Sequence, residues 1–335
     1  MTFFRHIHIR LTLLVLLGLV LIGTGAALAA TRTKTQLIGT GVVVVDTKLG
    51  YEDGEAAGTG MVLTSSGEVL TNNDVLEGAT SITVVIPGTT HRYTARVVGY
   101  DVSDDVAVLK LVNASSLRTI SIAAKTVRIG DTVTAVGNAG GTGRLISAKG
   151  TVTGLGRTIT ASDDNGSSEQ LNGLIETNAS VQAGDSGGPL ENASGRVVGM
   201  DTAASRAGSP LASYGETDAY AIPIAKALSI ANAIAGGKAS STIHLGATAF
   251  LGIEVASYDS GALVAGVLSG GPTANAGIVV GDVITSIGGR QVTSPSDVQS
   301  IVLAQKPGQK VSVTFTDQTG STQTATVTLG AAPAH

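Results

Sequence analysis

The sequence predicts a mainly β protein of more than one folding unit, and three observations carry that prediction. Glycine numbers 45 against 8 prolines, and Val, Thr and Ala recur in short runs broken by glycine, the composition of strands joined by tight turns. Roughly a dozen such runs follow at regular spacing, which argues for barrels or sandwiches rather than βαβ units. The chain has 335 residues, more than one compact domain usually holds, so two successive barrels and a further unit account for the length.

Taken in order, the first segment stands apart from the fold. Arg5, His6 and Arg10 precede an uncharged apolar run that starts at Leu11, and Ala27-Leu28-Ala29 fits a small-x-small cleavage site. Residues 1–29 therefore read as a secretory signal peptide, with an uncleaved N-terminal membrane anchor as the alternative. Either reading places the globular part outside the cytoplasm, secreted or extracytoplasmic. The chain has no cysteine, so its stability rests on its cores, without disulfide or thiolate chemistry. Charged residues make up 14% and the net charge is −4, which excludes the basic footprint of a nucleic-acid binder.

Strand patterns follow in "GVVVVDT" (41–47), "GTGMVLT" (58–64), "ITVVIPGTTHRYTARVVGYD" (82–101), "VAVLKLV" (106–112) and "TVTAVGN" (132–138). "PGTT" at 87–90 is turn chemistry inside the third of these and predicts a hairpin. Pro223 opens "PIAKALSIANAIA", where Ile224, Leu228, Ala231 and Ile234 approximate helical spacing before Gly236 and Gly237 end it. We place one domain over residues 36–235, a Gly/Ser-rich linker over 236–245 and a small α+β module over 246–331. In that module two strand patterns precede "GPTANAGIVVGDVITSIGG", then a helix opened by Thr293 or Ser294 with Pro295 behind it, then two final strands.

"GDSGGP" at 184–189 carries the chemistry. A serine hydroxyl needs a base to take its proton and donors for the oxyanion that forms after attack, and flanking glycines let consecutive N–H groups converge on one point. The alternative is a glycine-rich turn with an idle serine.

Five ordered blocks decide between these: "GTGMVLTSSGEVLTNN", "DVSDDVAVLKL", "AVGNAGG", "LIETNASVQAGDSGGPL" and "GRVVGMDTA". In this order they resemble the HtrA-like branch of the trypsin-like serine proteases, over about residues 41–234, and the C-terminal module resembles a PDZ domain. The resemblance implies a two-barrel chymotrypsin-like fold with triad members in the order His, Asp, Ser. It implies Ser186 as nucleophile, the N–H groups of Gly184 and Ser186 as oxyanion hole, and Asp105 as the carboxylate that orients the base. It further implies unfolded or exported polypeptides as partners, with no cofactor and no metal. Members are often trimers, so a homo-oligomer is in view, although residues 30–50 hold no aromatic residue for the usual trimer contact.

At the position of the family's histidine this chain carries Asp74, in "TNND" where the family reads "TNNH". An ordinary Asp, with a pKa near ~3.9, has little pull on a serine proton at neutral pH. If Asp74 and Asp105 face each other, two carboxylates share a site and one pKa rises. Loss of the histidine in a serine protease costs about 10⁶-fold in kcat. The expectation is a catalytically impaired peptide-binding homologue; the alternative is an active serine endopeptidase that uses Ser186 with another base, or with a histidine of the substrate. His6 and His8 lie in the leader, His91 in the hairpin, His244 in the linker region and His335 at the terminus, and all five read as surface residues.

Further expectations concern specificity. The resemblance implies that residues 179–183 and "MDTAAS" (200–205) flank the substrate at the nucleophile; apart from Gln182 and Asp201 they are small or apolar, which points to small aliphatic side chains. "TAFLGIEV" (248–255) resembles the PDZ carboxylate-binding loop, in which the N–H groups of Leu251, Gly252 and Ile253 converge on a peptide C-terminus while the peptide adds as a strand. Val298 and Val302 would line its side-chain pocket. "SDDNGSS" (162–168) lacks a full calcium-loop pattern and reads as a surface loop.

Overall fold

The computed structural model describes residues 38–49, 54–162, 168–204, 218–259 and 261–332. The predicted leader, His335 and most of the 162–168 loop lie outside the described residues. The first barrel comprises β1 (Val42–Leu49), β2 (Gly54–Val62), β3 (Glu68–Thr71), β4 (Ser81–Val85), β5 (Arg92–Asp101) and β6 (Val106–Leu111). The sheet runs β5-β4-β1-β2-β3-β6 and closes through an added β5–β6 pairing. Val42, Val43, Val44 and Val45 are all buried, as expected of a strand covered on both faces. The predicted hairpin joins β4 and β5, with Gly88 at φ 73° in its turn.

The second barrel is built from β7 (Thr132–Gly137), β8 (Ile146–Ser162), β9 (Ser168–Thr177), β10 (Pro189–Asn192), β11 (Val197–Ala204) and β12 (Ala219–Pro223). They close in the order β10-β11-β12-β9-β8-β7. Helix α1 (Ile224–Ala235) follows, with Pro223 at its N-cap and Gly236 at its C-cap. Its inward stripe is Ile224, Ala227, Ile230, Ala231 and Ile234, and it packs in one cluster with Met61, Leu70, Val108, Leu174 and Ile222 from both barrels. Leu228 sits at the edge of that cluster, only partly buried.

The segment read as linker is not free along its length. Residues Ile243–Leu245 form β13, antiparallel to Asp101, Tyr100 and Gly99 of β5. His244 on this strand is half-buried and stacks on Tyr100, ring centroids 5.2 Å apart. The sequence reading of His244 as a surface residue is thereby corrected: strand pairing on β5 sets its ring against a buried aromatic.

The C-terminal module contains β14 (Thr248–Phe250), β15 (Ile253–Tyr258), β16 (Gly261–Val267), α2 (Pro272–Asn275), β17 (Val283–Ile287), β18 (Arg290–Gln291), α3 (Pro295–Leu303), β19 (Lys310–Thr316), β20 (Thr322–Thr328) and β21 (Gly330–Ala332). Its main sheet runs β15-β16-β17-β19-β20, with β15 at an edge. Ser294 caps α3: its hydroxyl accepts from Asp297 N, while Asp297 Oδ2 accepts from the N–H and hydroxyl of Thr293. This reciprocal cap satisfies donors the first turn leaves open. Val298, Ile301 and Val302 of α3 enter the module's own core with Leu251, Ile284 and Phe315.

Candidate active site

Three chain segments meet where the barrels adjoin. The first leaves β3 at Thr71, passes through buried Asn72 and Asn73, and enters a single 3₁₀ turn over Asp74–Leu76. The second is the β5–β6 corner, where Asp105 sits at φ 49°, a conformation that Asp tolerates better than most residues. The third is the glycine-rich loop between β9 and β10 that carries Ser186.

Asp105 is 5% exposed. Its Oδ1 accepts from Asp74 N at 3.0 Å and its Oδ2 accepts from the Thr202 hydroxyl of β11. Its backbone carbonyl accepts from Asn72 Nδ2 at 2.8 Å. Burial pushes the carboxyl up to about 6; the hydrogen bonds from Thr202 and from the amides of residues 74 and 73 oppose the rise, and the charge of Glu77 adds to it. Asp74 thus meets Asp105 through its backbone N–H, and its side chain is exposed. The charged side chain that raises Asp105 is Glu77, a residue the sequence reading did not consider.

Ser186 Oγ donates to the Thr202 carbonyl at 3.3 Å. Thr202 therefore bridges the two groups, its hydroxyl on Asp105 and its carbonyl on Ser186. A carbonyl holds the serine proton in place and has no capacity to remove it at neutral pH.

The loop around Ser186 is held by backbone contacts. Ala183 O accepts from Gly140 N at 2.8 Å, and because C=O and N–H of one trans peptide point in opposite directions, Gly184 N–H faces away from Gly140. Gly184 and Gly187 have φ of 95° and 83°, and a Cβ on either would strike backbone, Asn138 O and Thr59 O respectively. Glycine is required at both. A cleft of about 660 Å³ runs alongside, with Gly140, Ala183 and Gly184 on one wall and Asp46, Lys48 and Arg92 on another.

Behind the loop lies a group of buried carboxyls. Asp201 is fully buried and neither of its oxygens has a hydrogen-bond partner among the described residues. Burial, then the charges of Asp185 and Glu191, push it well above the ordinary range. Glu191, 1% exposed, is pushed up to about 7 by burial, against one hydrogen bond from Gly39 N at 3.3 Å. Asp185 is raised by burial and accepts from Gln182 N at 2.9 Å. Among the described residues, no cluster of His, Cys, Asp or Glu is arranged to hold a metal ion.

In the C-terminal module a groove of about 780 Å³ runs between β15 and α3. Leu251, Gly252, Ile253, Val298 and Val302, all singled out from the sequence, line it. Leu251 O is turned inward by Thr273, whose hydroxyl and N–H donate to it at 2.6 and 3.1 Å. Among the described residues the N–H groups of Leu251 and Gly252 have no internal acceptor.

Comparison with known proteins follows the same division. Residues 58–200 match the trypsin-like peptidase domain family and residues 249–329 match the PDZ domain family. The serine protease PepD of Mycobacterium tuberculosis is 32% identical over 314 residues, covering 87% of this chain and 64% of PepD. The periplasmic pH-dependent serine endoprotease DegQ of Escherichia coli is 32% identical over 269 residues, covering 77% of this chain and 56% of DegQ. The chain thus spans 64% of the length of PepD and 56% of that of DegQ, less than two thirds of either. Among solved structures, the HtrA-type protease AlgW with a tripeptide superposes with a TM-score of 0.51 at 26% identity, covering 89% of this chain and 96% of that one.

Proposed function

Because the chain belongs to the trypsin-like peptidases that carry a following PDZ domain, the HtrA/DegP group, we propose that it is an extracytoplasmic peptide-binding member whose proteolytic step is disabled at position 74. In this reading Ser186 stands at the nucleophile position and the N–H groups of Gly184 and Ser186 are the oxyanion donors. Asp105 is the orienting carboxylate. The observation that carries the reading is the Asp105–Thr202–Ser186 arrangement: the serine hydroxyl rests on a carbonyl, and residue 74 offers Asp105 a backbone N–H rather than an imidazole. At an ordinary turnover of ~10 per second, a ~10⁶-fold loss leaves about one event per day.

The PDZ groove then supplies the binding function. An unfolded or exported polypeptide presents its terminal carboxylate to the amides of Leu251, Gly252 and Ile253 and adds along the open edge of β15. A location outside the cytoplasm is supported by the leader expected at residues 1–29 and by periplasmic relatives such as DegQ. Domain limits of 36–235 and 246–331, and assembly into a homo-oligomer, belong to the same proposal.

The second reading, an active endopeptidase with a non-standard base or a substrate histidine, has the relatives' names in its favour. Casein cleavage and fluorophosphonate labelling of the native chain, Asp74→His and Ser186→Ala separate the two. Activity only in Asp74→His supports the impaired protein. Native turnover equal to that of Asp74→His sinks it.

A further inference from the structure

Thr59 lies on β2 of the first barrel and is fully buried, and neither the sequence reading nor the comparisons give this residue a role of its own. Its backbone N–H donates to Ser186 O at 2.8 Å, and its hydroxyl donates to Gly184 O at 2.7 Å. These carbonyls belong to the Gly184–Asp185 and Ser186–Gly187 peptide planes, one on each side of the plane that carries the Ser186 N–H. The same hydroxyl accepts from Asn138 N at 2.9 Å, and Asn138 Oδ1 accepts from Gly143 N at 2.7 Å. Thr59 O accepts in turn from the Thr71 hydroxyl at 2.7 Å, one residue before the segment that leads to Asp74. Two motif glycines close on it: a Cβ on Gly187 would strike Thr59 O, and one on Gly137 would lie 2.9 Å from its Oγ1.

We infer that Thr59 is a positioning residue for the oxyanion hole: a first-barrel strand clamps the second-barrel loop by the carbonyls of Gly184 and Ser186, and so fixes the two peptide planes that bracket the Ser186 N–H, with Gly184 N–H on the far side of the first. The inference rests on the assignment of those N–H groups as oxyanion donors. The chemistry follows from the geometry. A loop with two αL glycines is free to flip a peptide plane, which would exchange an N–H for a C=O in the cleft. A hydroxyl that donates to Gly184 O while it accepts from Asn138 N leaves that carbonyl a single orientation, and with Ser186 O also held, the intervening plane that carries the Ser186 N–H has little freedom to turn over. Donors held before reaction need no reorganisation when the oxyanion forms. Ser186 O needs only the Thr59 backbone, so any residue serves there, whereas Gly184 O needs a hydroxyl at position 59.

The test uses the full chain carrying Asp74→His, so that turnover can be read. Thr59→Val keeps the shape and removes the donor; kcat on a chromogenic peptide is expected to fall ~10–100-fold with KM changed less than about twofold, the mark of an interaction made in the transition state. Thr59→Ser restores kcat to within about threefold. If the valine is not tolerated beside two carbonyls, Thr59→Ala carries the same expectation. Equal loss in the Ser and Val variants, or a loss confined to KM, overturns the inference. Should Asp74→His itself show no turnover, the functional reading has failed rather than this one, and amide exchange decides. Gly140 and Asp185 N–H should exchange about tenfold faster in Thr59→Val than in Thr59→Ser; equal rates in the two overturn it.

Discussion

On one side of Ser186 the loop is held by its own main-chain oxygens: Gly184 O, Ser186 O and Ala183 O accept from the Thr59 hydroxyl, the Thr59 N–H and the Gly140 N–H, and a Cβ on Gly184 or Gly187 would strike main-chain oxygen. On the other side the arrangement hangs on side chains: Thr202 bridges Asp105 and Ser186, while the Asp74 side chain faces solvent. The first side is overdetermined and indifferent to residue 74, because every bond in it belongs to other residues. The second, in the proposed reading, depends on the single side chain at position 74. In the proposed reading the geometry of transition-state stabilisation outlasts the proton relay, since the two are built from different parts of the chain.

The largest effect that sharpens this contrast is chemical. Asp74→His is expected to raise kcat by ~10⁴–10⁶-fold, without change in the unfolding midpoint beyond a few degrees; a gain below tenfold would mean the backbone side is not intact. Breaking the other side costs folding instead. Gly187→Ala forces a Cβ onto Thr59 O at positive φ and should destabilise by roughly 3–5 kcal/mol in urea unfolding, whereas a loss under about 1 kcal/mol would show that the loop yields.

Smaller effects probe the side-chain half. Thr202→Val removes a donor to the Asp105 carboxylate and should cost about 1–3 kcal/mol at pH 8. The cost should shrink at pH 5, where Asp105, with its pKa near 6, is mostly protonated; the same cost at both values would deny Thr202 its role in charge stabilisation. The smallest effect is the pH profile of the chain itself. Asp105 and Glu191 hold their protons more tightly when folded, with values of about 6 and about 7. Their contribution is full below pH ~4 and is lost as pH rises through 6 and 7. The melting temperature should therefore be higher at pH 5 than at pH 8. Asp201→Asn should flatten that slope, because a neutral amide replaces a carboxyl whose affinity for a proton burial raises well above the ordinary range; a steeper slope would contradict it.

How much of this was legible in the sequence depended on whether a residue announces itself locally. Glycines at 184, 187 and 188 around Ser186 form a pattern because the backbone itself must turn there. The hairpin at 87–90 and the Ser294–Pro295 helix start were readable for the same reason. Helix α1 was found, though Ala227 and Ile230 carry its buried face with Ile224, Ala231 and Ile234, since an alanine-rich stripe is weakly phased. Thr59 and Thr202 were invisible: a threonine in a strand is ordinary, and its partner lies 125 residues away for Thr59 and 97 for Thr202. The buried carboxyls went unread because Glu191 and Asp201 sit in strands that alternation makes half-exposed, until barrel closure covers both faces. Strand β13 was hidden among Gly, Ser and Lys, where only the edge of β5 gives it a reason to form.

That strand changes the mechanics of the two domains. Gly246 N is pinned to Val98 O at 2.8 Å just after β13, and β14 begins at Thr248. One residue of slack, ~3.5 Å of extended chain, replaces the ten-residue tether implied by the composition. On the proposed function, a polypeptide captured by its last residues in the PDZ groove is kept on a short leash beside the barrels. The local concentration of its upstream stretch at the cleft is set by its own length, not by a wandering linker.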